Sequence, residues 1–322
     1  MGAPAFTRAL LLVLLASHLA AASLDEAKRL FEERRLPQAR AAFEALARSG
    51  PSRAEATFFL GRIEFVLDDS AKAAKLFEKA IELDPKNARY RLWVGRMYGE
   101  MAQGVNPIRA ASLAKKVQRA FEEAVRLDAK YIDPRIGLID FYQIAPGFMG
   151  GSDEKANEHL AEIERIDPPY GHLVRARMHR RAKKPELVTK EYDAAVRRFP
   201  NDPRVHLWRS GAYSADGTWD IAIQEAAEAV RLDPSYMPGH YHVGRTAASS
   251  GQNLQAGEGA LKKYIAYVPK DDEPSVTQAH YLLGLIYEKL GRKDEARVQL
   301  REALRRAPKY EEAKKALARV GA

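Results

Sequence analysis

Apolar and small residues recur at helical spacing in residues 54–87, AEATFFLGRIEFVLDDSAKAAKLFEKAIELDPKN, the clearest copy of a unit that is repeated along the chain. Small residues stand where two helices would have to approach closely, at Gly61, Ala73 and Ala80. Phe77 fills the space beside them, and Pro85 cannot continue the second helix because it lacks a backbone N–H. The pattern predicts a helical hairpin whose apolar face only neighbouring hairpins can bury.

The same order of residues returns 34 positions later and again towards the C-terminus. The recurring positions are Val94, Gly95 and Tyr98, then Ala222 and Pro234, then Leu283, Gly284, Tyr287, Ala296, Leu300, Ala303 and Pro308. This order resembles the tetratricopeptide repeat, which has a Leu-Gly pair, a Tyr three residues on, and then Ala, Phe, Ala and Pro. The resemblance covers about residues 23–320 and implies an all-α fold, a right-handed superhelical solenoid of helix-turn-helix repeats.

The spacing divides the chain into eight predicted repeats and a C-terminal capping helix over residues 310–320. The repeats are residues 23–53, 54–87, 88–131, 132–168, 169–202, 203–236, 237–271 and 277–309. Two of them depart from the regular length. The third repeat carries an insertion over 103–116, where Gly104 and Asn106-Pro107 should interrupt the chain before an extended second helix. The fourth repeat carries the surplus segment IAPGFMGGS at 144–152.

Residues 1–22 have the pattern of a secretory signal peptide. Arg8 supplies the positive region, residues 9–16 the apolar core, and Ala20-Ala21-Ala22 the small residues of a cleavage site. We expect cleavage before Ser23 and an exported protein, periplasmic or secreted; the alternative is an uncleaved N-terminal helix in the cytosol. The absence of cysteine rules out disulfides, thiolate metal sites and a cysteine nucleophile.

Charge indicates the chemistry of a partner without naming one. The net charge is +9, and it would be +8 after loss of residues 1–22, which contain one arginine and no acidic residue. This balance favours acidic partners or an anionic surface. Basic and acidic residues are interleaved along the chain, so a nucleic acid is not expected as the partner.

In the family that the chain resembles, the first helix of each repeat lines the concave side. The position directly after the small residue is basic in five of eight repeats and reads Lys28, Arg62, Arg96, Asp140, Arg177, Gly211, Arg245 and Leu285. Arg180 and Arg181 lie one turn beyond Arg177 and would add to this row. A row of guanidinium groups can bind carboxylates or phosphates through charge-assisted hydrogen bonds. The alternative is that these arginines are solvated or pair with neighbouring Asp and Glu.

The surplus segment 144–152 allows two arrangements. Its glycines free the backbone, so Phe148 and Met149 could form an exposed binding loop over the groove. Alternatively, Phe148 packs into the core and Ser152 caps the following helix, with Asp153 and Glu154 in its first turn. The sequence favours the second arrangement.

Other candidate chemistry has a structural interpretation. His206, His240 and His280 each precede a small-residue position by four residues, where core packing is favoured over metal ligation. No spacing offers a nucleophile with a base, so neither an enzyme nor a cofactor is expected. Aromatic residues at Phe59, Trp93 and Trp208 replace the amides with which some family members clamp a C-terminal carboxylate.

We therefore expect a non-catalytic scaffold of the cell envelope that binds an acidic or extended segment of a protein partner. Two alternatives remain open at this point. One is a structural element that assembles with copies of itself, and the other is a binder of an anionic glycan or lipid head group.

Overall fold

The computed structural model describes residues 23–270 and 273–321. This part of the chain contains 17 α-helices and one short 3₁₀ helix, and no strand occurs in it, which confirms the all-α fold. None of the helices described has the length and the apolar content needed to cross a bilayer. The signal peptide predicted for residues 1–22 lies outside the described residues.

The helices form pairs that follow one another along the chain. The first four pairs are α1 (Leu24–Glu32) and α2 (Leu36–Leu46), α3 (Arg53–Val66) and α4 (Ser70–Leu83), α5 (Ala88–Met101) and α6 (Pro107–Leu127), α7 (Ile132–Ile144) and α8 (Asp153–Ile166). The next four are α9 (Pro168–Arg181) and α10 (Pro185–Arg198), α11 (Pro203–Ala215) and α12 (Trp219–Leu232), α13 (Met237–Ser250) and α14 (Leu254–Ile265), α15 (Val276–Lys289) and α16 (Lys293–Arg306). Helix α17 (Glu311–Val320) ends the fold.

The described residues divide into two compact units, one ending at His159 and the other beginning at Leu160, with the division inside α8. We call them the N-terminal and the C-terminal unit. In each unit a helix packs against the next one in sequence, and this contact is most extensive within a pair. Each unit therefore has its own core of buried alanine, leucine and aromatic side chains.

A glycine of the first helix faces a large side chain of the second helix in the second, third, seventh and eighth pairs. A Cβ atom at Gly61 would lie 2.6 Å from Cε1 of Phe77, and one at Gly244 would lie 2.2 Å from Cγ of Leu261. Real Cβ atoms do not approach other atoms so closely, so these positions require glycine. The spacing of small and large residues in the sequence thus determines how the two helices of a pair pack together.

The insertion in the third repeat becomes part of a long helix. Helix α6 has 21 residues, which confirms the extended second helix predicted for this repeat. It begins at Pro107, and the side chain of Asn106 accepts a hydrogen bond from the backbone N–H of Arg109. Asn106 is an N-cap and Pro107 fits the first helical position, so these residues start the helix.

The prediction that Phe148 packs into the core is wrong. Its side chain is 85% exposed, because Gly147–Met149 forms a 3₁₀ turn that is closed by its own backbone hydrogen bonds. Phe141, which is buried, occupies the space under Gly150 instead. The other part of that arrangement is confirmed, since Oγ of Ser152 accepts a hydrogen bond from the N–H of Lys155 and caps α8.

Candidate functional site

The first helices of successive pairs contact one another in the C-terminal unit, where α9, α11, α13 and α15 follow in order. We call the surface that these helices form the first-helix face of the C-terminal unit. Helices α1, α3, α5 and α7 form the corresponding face of the N-terminal unit. The row of basic residues identified in the sequence lies on these helices.

In the N-terminal unit the guanidinium of Arg62 is packed between aromatic rings. Its carbon atom Cζ lies 4.1 Å from the ring centroid of Trp93 and 5.5 Å from that of Phe31. Only 9% of the residue is exposed. Such stacking on aromatic faces stabilises a cation inside a protein, so Arg62 is in large part a core residue.

The other two members of the basic row in this unit, Arg96 and Lys28, are paired within the chain. Nη2 of Arg96 lies 2.9 Å from a carboxylate oxygen of Asp133, and the guanidinium also stacks on Trp93 at 5.1 Å. Nζ of Lys28 lies 2.7 Å from Glu55. A partner that bound Arg96 or Lys28 would therefore compete with a carboxylate that is already in place.

In the C-terminal unit the three arginines at the end of α9 point to different surroundings. Arg177 is exposed and Arg181 is half-buried. Arg180 is exposed and lies near Tyr192 on α10, where burial raises the pKa of the phenol and Arg180 opposes that shift. It also lines a cavity of about 430 Å³ together with Ala212 of α11.

Arg245 on α13 is half-buried and has no ion-pair partner in the part of the chain that the structure describes. Its Nη2 atom donates a hydrogen bond to Nδ1 of His242, one turn earlier on the same helix, over 3.1 Å. The same nitrogen lies 3.4 Å from the place where a Cβ atom would stand at Gly211 on α11. The missing side chain at Gly211 leaves room for the guanidinium beside α11.

No carboxylate of the described residues compensates the charge of Arg245. Burial lowers the pKa of Arg245 from its ordinary value, and Tyr241 opposes this shift by a smaller amount. Burial, together with the charge of Arg245, also holds the pKa of His242 well below its ordinary value. His242 is therefore neutral and accepts the hydrogen bond that Arg245 donates, so the pair keeps a single positive charge.

Neighbouring arginines of the same unit are held differently. Arg209 on α11 donates to Asp193 over 2.8 Å and to Glu225 over 2.7 Å. Nη1 of Arg204 lies 2.5 Å from Asp167, and its other nitrogens contact Asp202. Carboxylates thus pair with Arg204 and Arg209, whereas no carboxylate within residues 23–270 and 273–321 pairs with Arg245.

Apolar residues border the site. Tyr241 belongs to a buried cluster that also contains Leu282 and Leu283 of α15, and half-buried Tyr281 and Leu285 pack against that cluster. Leu285 occupies the next position after Arg245 in the row of residues that follow the small position. This face therefore offers one cation on α13 and apolar side chains on the next first helix, α15.

His242 and Gly211 are the residues of this site that the sequence analysis did not single out for binding. A signal was present, because the row of basic residues is interrupted by Gly211 one repeat before Arg245. Because Gly211 has no side chain, the long side chain of Arg245 on the next first helix can pack against α11.

The remaining candidates have clear positions. His206, His240 and His280 are buried, which confirms their core packing. No cluster of three metal-ligating side chains occurs among residues 23–270 and 273–321. Phe148 is exposed and Met149 half-buried in the 3₁₀ turn of the N-terminal unit, where they are accessible to a partner.

Comparison with known proteins identifies the repeat. Models of the tetratricopeptide repeat match residues 24–98, 189–236 and 277–310. Hsp70-Hsp90 organizing protein 3 of Arabidopsis thaliana is 23% identical over 209 residues, 57% of this chain and 37% of that protein. The Hsp70-Hsp90 organizing protein of Triticum aestivum is 32% identical over 94 residues, 28% of this chain and 16% of that protein.

Yeast Tom70 shares the fold at 17% sequence identity, with a TM-score of 0.61 over 89% of this chain and 58% of that one. The chain spans little more than a third of the length of the first of these plant relatives, at 37%. The matched repeat models, the close glycine-to-side-chain packing of the helix pairs and the all-α architecture agree. The chain is a member of the tetratricopeptide repeat family.

Proposed function

We propose that this chain is a non-catalytic protein–protein interaction adaptor, and that the first-helix face of its C-terminal unit binds an acidic or extended segment of a partner. The observation that carries the proposal is the half-buried guanidinium of Arg245, which faces no carboxylate of the described residues. Removing a charge from water without a counter-charge destabilises a fold. A carboxylate supplied by another molecule offsets that cost.

The chemistry of the site favours a carboxylate next to an apolar side chain. A guanidinium presents a planar set of N–H donors that matches the two oxygens of a carboxylate. One donor of Arg245 is used by His242, and the others remain for a ligand. Leu285 and Tyr281 provide apolar surface in the following repeat. The proposed ligand is therefore a peptide in which Asp, Glu or a C-terminal carboxylate adjoins an apolar residue.

The relatives support an adaptor role. The plant proteins that the chain matches are named as organizers of Hsp70 and Hsp90. Phe59 and Trp93, which replace the clamp amides, are buried in the N-terminal unit. We propose that this chain shares the adaptor role of such proteins and recognises a different segment with Arg245.

We further propose that the protein is exported and works in the cell envelope. Support comes from residues 1–22, with Arg8, an apolar core and a small-residue cleavage site. The intact mass of protein isolated from the producing cells checks this proposal. A chain that begins at Ser23 in the envelope or medium is expected, and an intact chain confined to the cytoplasmic fraction would contradict it.

The ligand proposal is tested with the variant Arg245→Gln and a matched control, Arg301→Gln. Arg301 is exposed on the second helix α16, so both variants lose one charge from the same unit. The probe is a fluorescein-labelled peptide of alternating Glu and Leu, followed by fluorescence anisotropy at low and at physiological salt. We expect Arg245→Gln to weaken binding about tenfold or more, as for a lost hydrogen bond to a charged group, and Arg301→Gln to leave it unchanged.

Equal affinities of the two variants would contradict the proposal. Heparin as a competitor distinguishes the two ligand classes: an anionic polysaccharide that displaces the peptide from the wild type and binds Arg245→Gln equally well would point to general polyanion binding. Crosslinking and capture from the envelope fraction, with both variants in parallel, then identifies the natural partner by its dependence on Arg245.

A further inference from the structure

A histidine recurs at one position of the first helix in the C-terminal unit, four residues before the small residue of each pair. In His206 both ring nitrogens are engaged. Nε2 lies 2.8 Å from the carbonyl oxygen of Pro200, which ends the preceding pair, and Nδ1 lies 2.7 Å from Glu225, which is 19 residues further on. The ring of His206 thus connects its own helix α11 with α12 and with the end of the preceding pair.

Two other repeats also place a polar side chain 19 residues after the histidine, where its oxygen contacts the ring. Nδ1 of His172 lies 2.9 Å from Glu191, and Nδ1 of His280 lies 2.7 Å from Gln299, again with a separation of 19 residues. The second helix of each of these pairs thus places a long polar side chain against the ring. This contact is a structural feature of the repeat.

The seventh pair lacks that side chain. Nε2 of His240 lies 2.9 Å from the carbonyl oxygen of Pro234, so its ring is held as in His206. The residue 19 positions after His240 is Gly259, which has no side chain to offer. Within residues 23–270 and 273–321, Nδ1 of His240 makes no hydrogen bond, although only 4% of the residue is exposed.

A cavity of about 350 Å³ occupies the place of the missing side chain, and we call it the repeat-seven pocket. His240 and Gly259 line it, together with Val230 of α12, Val243 of α13, Ala260 and Lys263 of α14. A Cβ atom at Gly259 would meet no atom within 4 Å, so the pocket is open at this point. Its walls are mostly apolar.

We propose that the repeat-seven pocket binds the side chain of a tyrosine from a protein partner, with the phenol hydroxyl donating a hydrogen bond to Nδ1 of His240. Nε2 donates to the carbonyl of Pro234, and a phenol hydroxyl can act at Nδ1 as a hydrogen-bond donor or as an acceptor. The apolar walls require an apolar body behind that donor. A phenol ring supplies both in a side chain that has little conformational entropy to lose.

Charge disfavours the cationic donors that a protein side chain could bring. Lys263 lines the pocket, so an arginine or lysine of the partner would be repelled there. A carboxylate of the partner would lose its hydration against walls that are mostly apolar. A hydroxyl can donate to His240 and accept from a cation at the same time, whereas an indole N–H only donates. This site lies apart from Arg245 in its chemistry and does not depend on the function proposed for that residue.

The test uses N-acetyl-tyrosine amide as the probe and N-acetyl-phenylalanine amide as the matched ligand without the hydroxyl. Binding to the full chain is followed by ¹⁵N NMR of the histidine rings, with the signal of His240 assigned from a His240→Gln variant. We expect the tyrosine probe to shift the His240 Nδ1 signal and to bind about fivefold tighter than the phenylalanine probe, as for one net hydrogen bond.

Two variants keep the proposal falsifiable. Gly259→Gln places in the pocket the side chain that Gln299 provides in the eighth pair, so it should abolish binding of the tyrosine probe while the protein stays folded. Gly259→Ala adds one methyl group in open space and should retain binding. Equal binding of the two probes, binding that survives in Gly259→Gln, or a His240 signal that responds to neither probe because the pocket holds water only, would each overturn the proposal.

Discussion

Nη2 of Arg245 donates to Nδ1 of His242 across 3.1 Å, and this neutral imidazole is the acceptor that the half-buried guanidinium has among the described residues. A neutral acceptor orients a cation without neutralising it. The free protein therefore retains an oriented positive charge on the first-helix face of its C-terminal unit. A half-buried charge without a carboxylate partner lowers the stability of the free protein, and such a cost is expected where the charge serves binding.

Replacing Arg245 by methionine should stabilise the free protein while it weakens binding of acidic ligands. The desolvated charge disappears and an apolar chain of similar length remains, so we expect the free energy of unfolding to rise by roughly 1 kcal/mol. Thermal and urea unfolding without ligand measure this change. A variant as stable as the wild type or less stable would show that Arg245 serves the fold.

Two glycines of the seventh pair should respond in opposite ways to alanine. Gly244→Ala places a Cβ atom 2.2 Å from Leu261, and overpacking of this kind should destabilise the protein by about 1–3 kcal/mol. Gly259→Ala meets nothing within 4 Å in the interior of α14 and should stabilise it by about 0.5–1 kcal/mol. Urea unfolding of both variants makes the comparison, and shifts of the same sign would contradict the packing described.

The pair of His206 and Glu225 should stabilise the fold more at low pH. Burial opposes the charged ring, but the hydrogen bonds to Glu225 and to the carbonyl of Pro200 outweigh it and raise the pKa of His206. Stabilisation by a group with a raised pKa is complete below its unfolded-state value, about 6.5, and is lost as pH rises through the folded-state value. The free energy of unfolding lost in His206→Gln should therefore shrink from about pH 5 to pH 8.

His280 is the control for this pH effect. Its ring faces the neutral amide of Gln299, and burial lowers the pKa of His280. Its titration midpoint in NMR should lie below the ordinary histidine value, and that of His206 above it. A loss in His206→Gln that grew with pH, or equal midpoints for the two rings, would contradict the assignment.

Arg62 and Arg96 should differ in what alanine does to stability, although they occupy equivalent positions in successive repeats. Arg62 is packed between Phe31 and Trp93, so Arg62→Ala should destabilise the N-terminal unit by roughly 1–2 kcal/mol. Arg96 is more exposed and pairs with Asp133, so its variant should cost less than about 1 kcal/mol. Hydrogen exchange of α3 and α5 measures both, and equal effects would contradict the packing role of Arg62.

Phe148→Ser should leave stability unchanged within about 0.5 kcal/mol, because the ring is 85% exposed and contributes little to the core. A loss of partner capture in this variant would assign a binding role to the 3₁₀ turn Gly147–Met149. Phe141→Ser is the matched control, since the same change at a buried ring should be strongly destabilising.

The helix pairs could be predicted from the sequence because the residues that pack together within a pair are close in sequence. Gly61 and Phe77 lie on the two helices of one hairpin, as do Gly244 and Leu261, so a short window of sequence contains both partners. The start of α6 at Asn106-Pro107 was also visible, since capping depends on adjacent residues. The family and the all-α fold follow from such repeated local patterns.

The binding chemistry was decided by contacts that no local pattern contains. The sequence shows equivalent arginines at 62, 96 and 245. Only the tertiary structure shows that the first is packed between aromatic rings, the second is paired, and the third has no carboxylate partner among the residues described. The direction of Phe148 likewise depended on Phe141, which already filled the space beneath the turn. The sequence also does not show that Gly259 leaves a gap. That follows from the contact between His206 and Glu225, because Gly259 stands at the position of Glu225 relative to His240. The charge and exposure of a side chain depend on what its neighbours on other helices leave unpaired, and the fold alone brings those neighbours together.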